Sequence, residues 1–139
     1  MINRVLDLQS LTVRQAVTPL SQAATIAAEA PLQQALALCR ERKVGRLAIS
    51  GIRDGQQRII GLLSLNALLF QSELDPRRPV SDFVKPALFL EEDLRLEVAL
   101  RRMQRGGQRM AIVMGRDRRE IGVISLQDVL KFIFGEVNL

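Results

Sequence analysis

The chain has no histidine, tyrosine or tryptophan and only one cysteine. Without histidine, the commonest general base and the commonest nitrogen ligand for metals are missing. A lone Cys39 excludes an internal disulfide and a multi-cysteine metal site. It sits in Ala35-Leu36-Ala37-Leu38-Cys39 and reads as a buried structural thiol. Aromatic residues make up 4% of the chain, so the stacking platforms that accompany single-strand binding are scarce. No apolar run reaches the ~18–20 residues of a transmembrane helix, and no signal-peptide pattern opens the sequence. These exclusions lead us to expect a soluble, cytoplasmic module with no catalytic residues and no metal ligands.

What is present is ordinary in amount and unusual in order. The 139 residues are one domain's worth, and 47% are hydrophobic, enough for a core. The net charge of +5, from 20 basic and 15 acidic residues, favours phosphate-bearing ligands, anionic lipid or nucleic acid. The basic residues are spread along the chain, which counts against nucleic acid.

Residues 1–12 carry apolar Ile2, Val5, Leu6 and Leu8 and read as a lead-in arm or helix. Val13-Arg14-Gln15-Ala16-Val17-Thr18-Pro19 follows, with Pro19 ending any local helix. Thr25 and Ile26 mark a short strand. Pro31 reads as a first helical residue, and Leu32, Ala35, Leu36 and Cys39 mark an amphipathic helix that Gly45 should break. Leu47-Ala48-Ile49 is a strand, residues 51–57 a turn around Asp54-Gly55, and Ile59-Ile60-Gly61-Leu62-Leu63 a strand running into a helix over 64–70.

After a linker at 71–79 the pattern restarts. Val80-Ser81-Asp82-Phe83-Val84-Lys85-Pro86 matches the segment ending at Pro19. Arg109-Met110-Ala111-Ile112 matches Arg46-Leu47-Ala48-Ile49, and Gly122-Val123-Ile124-Ser125 matches Gly61-Leu62-Leu63-Ser64. Three matched segments in one order make a two-fold internal repeat, over 13–70 and 80–139. The fold class is α+β, each repeat reading strand–helix–strand–strand–helix. A unit that small buries little apolar surface alone, so the two copies are expected to pack sheet to sheet, with pseudo-two-fold symmetry, around one shared core.

The strand-to-helix segments Gly61-Leu62-Leu63-Ser64 and Gly122-Val123-Ile124-Ser125-Leu126-Gln127-Asp128, with the proline-terminated leads, resemble a tandem pair of CBS domains (a Bateman module). Val5-Leu6-Asp7-Leu8, the lead to Pro19 and the exit Phe134-Gly135-Glu136-Val137 are similar to the CBS pair of CorC/HlyC-type magnesium and cobalt transport proteins. There the pair lies between a membrane domain and a small C-terminal domain, so this chain reads as an excised module or a stand-alone relative. The resemblance implies a non-catalytic regulatory module that binds an adenine nucleotide: ATP, with ADP or AMP as alternatives, with or without Mg2+. It also implies a homodimer and, in a CorC-like parent, a membrane domain as partner.

Two readings stand for Ser125 and Asp128. Ser-x-x-acid is a helix-capping pattern, contributing about 1 kcal/mol. The same helix end offers N–H groups to phosphate and a carboxylate to ribose hydroxyls. The first repeat has Ser64 but Ala67 where Asp128 stands, which predicts one competent site and one degraded one. By the resemblance, the nucleotide site comprises Thr18, Val44, Arg46, Val123, Ser125 and Asp128. The family often has an aromatic residue at the position of Val44. The degraded site comprises Ser64, Ala67, Lys85 and Arg109. Arg101, Arg102 and Arg105 on a helix, and Arg116, Arg118 and Arg119 in a hairpin, read as solvated surface. A ligand-free dimerisation scaffold, or a basic module binding nucleic acid or anionic membrane, are the alternatives.

Overall fold

A computed structural model describes residues 11–71 and 73–135. Residues 1–10 of the lead-in expected over 1–12, and the exit beyond Gly135, lie outside them. In chain order the elements are α1 (Val13–Ala16), β1 (Thr18–Pro19), β2 (Thr25–Ala27), α2 (Leu32–Arg42), β3 (Arg46–Arg53), β4 (Gln56–Ser64) and α3 (Leu65–Leu68). A 3₁₀ turn (Val80–Phe83) opens the second half. It is followed by β5 (Leu88–Glu91), α4 (Leu96–Arg105), β6 (Met110–Met114), β7 (Glu120–Ser125) and α5 (Leu126–Phe134). The described chain is thus α+β, with two sheets.

The chain divides into two compact units, and they cut it differently from the sequence repeats. A central unit is Leu20–Ala87, and a composite unit joins residues 11–19 to 88–135. In the central unit the strand order is β2-β3-β4, with β2 parallel to β3 and β3 antiparallel to β4. In the composite unit it is β1-β7-β6-β5, with β5 parallel to β6 and the other pairs antiparallel. A parallel pair needs a crossover connection, and α2 and α4 supply one each. They bury the same pattern: Leu32, Ala35 and Cys39 in α2, and Leu96, Ala99 and Met103 in α4. Each set is one stripe at helical spacing.

Buried side chains form two clusters, one in each unit, where one shared core was expected. The central cluster includes Leu32, Leu47, Ile49 and Leu63; the composite cluster includes Leu90, Leu96, Met103 and Ile124. The difference lies in the leads. Val13 opens the first repeat but is fully buried among residues of the second, and Val80 opens the second but is fully buried among residues of the first. Backbone bonds fix both crossings. Val13 N–H donates to the Leu94 carbonyl (2.8 Å) and Val80 N–H to the Ala30 carbonyl (2.8 Å). Burying one valine side chain stabilises by about 1.5–3 kcal/mol, so each lead completes a core that its own repeat does not hold.

Several boundaries move. Pro31 is the N-cap of α2, in extended conformation, and not its first helical residue. The helix ends at Lys43 (φ 56°), two residues before Gly45. Asp54 (φ 55°) and Gly55 (φ 77°) alone make the β3–β4 turn. Positive φ at both central residues matches the right-handed twist of the strands. Pairing therefore continues to Arg53 opposite Gln56, where a longer loop was expected. The helix expected over 64–70 is only the four-residue α3.

Candidate functional site

The composite unit builds its site where β7 meets α5. Ser125 is the N-cap, in extended conformation (φ −98°, ψ 153°), and its Oγ accepts from the Asp128 N–H at 3.0 Å. The capping role is therefore real. It does not consume the Asp128 carboxylate, which is half-buried and has no hydrogen-bond or ion-pair partner among the described residues. Aspartate is one methylene shorter than the glutamate of a reciprocal capping box.

Thr18 joins this site through backbone geometry. It pairs with Val123 across the β1–β7 ladder, and Pro19 with Gly122. Cross-strand partners share a face, and residues two apart share a face, so Thr18, Val123 and Ser125 lie on one face of the sheet. Ile124, between them, points into the composite core. Gly122 is what admits β1: a Cβ there would overlap the Thr18 carbonyl and stand 2.7 Å from Val17 Cγ2. Close approach of another chain segment therefore accounts for this glycine. Gly61 does the same in the central unit, where a Cβ would stand 2.6 Å from the Lys85 carbonyl. Lys85 is the counterpart of Thr18. It is exposed and exchanges two backbone bonds with Leu62 (3.0 and 2.8 Å).

Ser64 is also an N-cap, but its side chain makes no capping bond. Ala67 offers no carboxylate. Val44 and Arg46 are half-buried and lie in the central unit, with Ser64, Ala67 and Lys85. Thr18, Val123, Ser125 and Asp128 lie together in the composite unit, and Arg109 with them.

Arg46 and Arg109 are not equivalent, contrary to the sequence match. Arg46 opens β3 opposite Ser64, whereas the residue opposite Ser125 is Met110. The Arg109 carbonyl accepts from the Leu126 N–H (2.9 Å); in the central unit it is the Gly45 carbonyl that accepts from Leu65 (2.9 Å). Arg109 thus corresponds to Gly45, and it is exposed. A one-residue offset reverses every side chain along a strand. The helices held the corrective signal: Leu32 and Leu96, Ala35 and Ala99, and Cys39 and Met103 are each 64 residues apart, as are Arg46 and Met110.

One cluster was missed. Arg14 Nε lies 3.0 Å from Glu92 Oε1 and its Nη2 2.7 Å from Asp93 Oδ1. Arg116, assigned to solvated surface, bonds Asp93 Oδ2 through Nε (2.9 Å) and donates its backbone N–H to Glu92 Oε2 (2.9 Å). The Arg116 hydrogen bond is the main reason the Asp93 carboxyl is held below its ordinary 3.8, and the Arg14 charge adds to it. Asp93 in turn raises Arg116. Burial pushes the Cys39 thiol up, as suits a core residue. Arg101, Arg102 and Arg105 are exposed on α4. Among the described residues no three His, Cys, Asp or Glu converge as for a metal, and no helix is long and apolar enough to cross a membrane. A groove of about 480 Å³ runs between β2 and α2, lined by Ile26, Ala27, Leu38 and Glu41 among others, and holds none of the expected site residues.

Comparison with known proteins places the fold. The CBS domain model matches residues 13–72 and 80–135. Among solved structures, the CBS domain of a bacterial CNNM/CorC family Mg2+ transporter is 30% identical, with a TM-score of 0.81, covering 99% of this chain and 84% of that one. The same domain in complex with ATP is 30% identical, with a TM-score of 0.83, over 98% of this chain and 96% of that one. The UPF0053 protein Mb2387c of Mycobacterium bovis is 26% identical over 141 residues, 99% of this chain and 32% of that protein. The chain spans about a third of the length of such curated relatives.

Proposed function

The chain belongs to the CBS-domain family, as a tandem pair related to the CBS domain of CNNM/CorC Mg2+ transporters, and from that premise we propose that it is a regulatory module binding one adenine nucleotide. The observation that carries the proposal is the Asp128 carboxylate. It is half-buried at the start of α5, without a partner among the described residues, beside Thr18, Val123 and Ser125. A carboxylate so placed accepts the two ribose hydroxyls. ATP is the favoured nucleotide, because the 30% identical CBS domain was solved with ATP; ADP, AMP and accompanying Mg2+ are further arms of the test.

The phosphates need positive charge. Two of the first N–H groups of α5 are already used, Leu126 on the Arg109 carbonyl and Asp128 on Ser125 Oγ. The helix end is therefore a poor phosphate site by itself. In the proposal, Arg46 meets the phosphates and Val44 lines the base, so the nucleotide bridges the repeats. The ligand then biases the packing of the pair, or of a homodimer, by its difference in affinity for the two states. In a longer parent that bias would regulate Mg2+ transport.

Calorimetry with ATP, ADP and AMP on wild type, Asp128→Ala and Arg46→Met tests this. We expect one nucleotide per chain, loss of binding in Asp128→Ala and weakening in Arg46→Met. No adenine-nucleotide binding at millimolar concentration would end the sensor reading. It would leave the ligand-free scaffold, which the Ser125 cap alone supports.

A further inference from the structure

The strand that brings Thr18 to the site is two residues long, and its second residue, Pro19, has no N–H to give to the ladder. Pairing with β7 alone is a weak hold on it. A second hold lies four residues upstream, at Arg14 in α1. Its backbone N–H donates to the Glu92 carbonyl (3.0 Å), and its guanidinium grips Glu92 (3.0 Å) and Asp93 (2.7 Å). Arg116, from the β6–β7 loop, closes the cluster through Asp93 Oδ2 (2.9 Å), Asp93 Oδ1 (3.3 Å) and a backbone bond to Glu92 Oε2. The Glu92 side chain is only 17% exposed, so this is more than a fully solvated pair.

Among the described residues, the corresponding position of the central unit has no such clasp. The equivalent backbone bond runs from Ser81 to the Ala28 carbonyl (2.9 Å), between two uncharged residues. The charge cluster thus occurs in the unit that carries Asp128, on the lead that carries Thr18.

We propose that Arg14 and Arg116 are positioning residues for the nucleotide site: by clamping α1 to Glu92 and Asp93 they set β1, and with it Thr18, against Val123 and Ser125. The inference rests on the nucleotide reading above. Coupling runs both ways, so ligand held at Thr18 tightens the clasp.

The test is calorimetry with ATP on the full chain, together with amide hydrogen exchange. Arg14→Met should weaken ATP binding about threefold or more, within the range for residues that act through others. Arg14→Lys should recover most of that loss. Arg78→Met is the control: it removes a pair with Asp82 (2.9 Å) on the other lead, and should bind ATP like wild type. ATP should also slow exchange of the Val13 and Arg14 amides in wild type, a reading that survives if a variant fails to fold. Wild-type affinity in Arg14→Met, equal weakening in Arg78→Met, or unchanged exchange at Val13 and Arg14 on ATP binding would each overturn the inference. If wild type binds no ATP, the nucleotide reading itself fails, a result distinct from ATP binding that ignores Arg14.

Discussion

The Asp128 amide donates to the Ser125 hydroxyl oxygen, and the Asp128 carboxylate takes no part in that bond. The capping role that the sequence offers this pair therefore uses the Ser125 side chain and the Asp128 backbone, and leaves the Asp128 carboxylate outside it. Ser125→Ala should cost about 1 kcal/mol of stability, the usual loss for a cap. Asp128→Ala should cost clearly less, because the capping bond uses its backbone. Chemical denaturation of both variants checks the order; equal losses would mean that the carboxylate serves the fold. This much was legible, because a serine at a strand-to-helix step with an acid three residues on has few geometries open to it. The equivalence of Arg46 and Arg109 was misread. Arg-Leu-Ala-Ile and Arg-Met-Ala-Ile look alike, but the buried triplets are Leu47, Ala48, Ile49 and Ala111, Ile112, Val113. Similar letters one residue out of register outweighed the burial pattern, and only the helix stripes hold the true offset. On the true offset Met110 stands where Arg46 does, so the first repeat's counterpart of the proposed site would have neither that arginine nor, at Ala67, a carboxylate.

Helices and strands were largely readable from spacing, their ends less so. The α2 and α4 stripes follow from apolar residues at helical intervals. The long β3–β4 hairpin did not, because Arg53, Gln56 and Gln57 are polar on an exposed ribbon and carry no alternation to read. The ion cluster on α1 was invisible for another reason. Its members, Arg14, Glu92, Asp93 and Arg116, are 78 residues apart or more on one side and 23 or more on the other, and only the fold assembles them. It gives α1 a carboxylate contact whose hold depends on pH. A carboxyl held below its ordinary 3.8 adds stability above that value and loses it as pH falls through the lowered one. Arg14 and Arg116 both bond the Asp93 carboxyl, and Glu92 faces both. Below pH 3.8, exchange at the Val13 and Arg14 amides should therefore rise before exchange at Val80 and Ser81, whose lead joins its unit through the uncharged Ser81–Ala28 backbone bond. Simultaneous loss at both leads would contradict this.

At the scale of the whole molecule the repeat was legible and its exchange of leads was not. Periodicity shows that Val13 and Val80 are equivalent; it says nothing about which core each one enters. That choice is made by tertiary contacts, by Leu94 and Ala30 accepting from them and by the room left at Gly122 and Gly61. A chain opened within the linker at 71–79 would yield two pieces, each holding one repeat with the other's anchor. We expect residues 1–75 and 76–139, expressed separately, to fold poorly and to regain helical circular dichroism when mixed in equal amounts. Independent folding of either piece would contradict the crossing. The tandem thus has the connectivity of a domain-swapped dimer whose two subunits have been fused. Such a fusion makes mutual dependence permanent: neither half can drift to independence without first surrendering a buried valine. The half that carries Ala67 in place of an acid therefore remains indispensable as the keeper of the other half's lead.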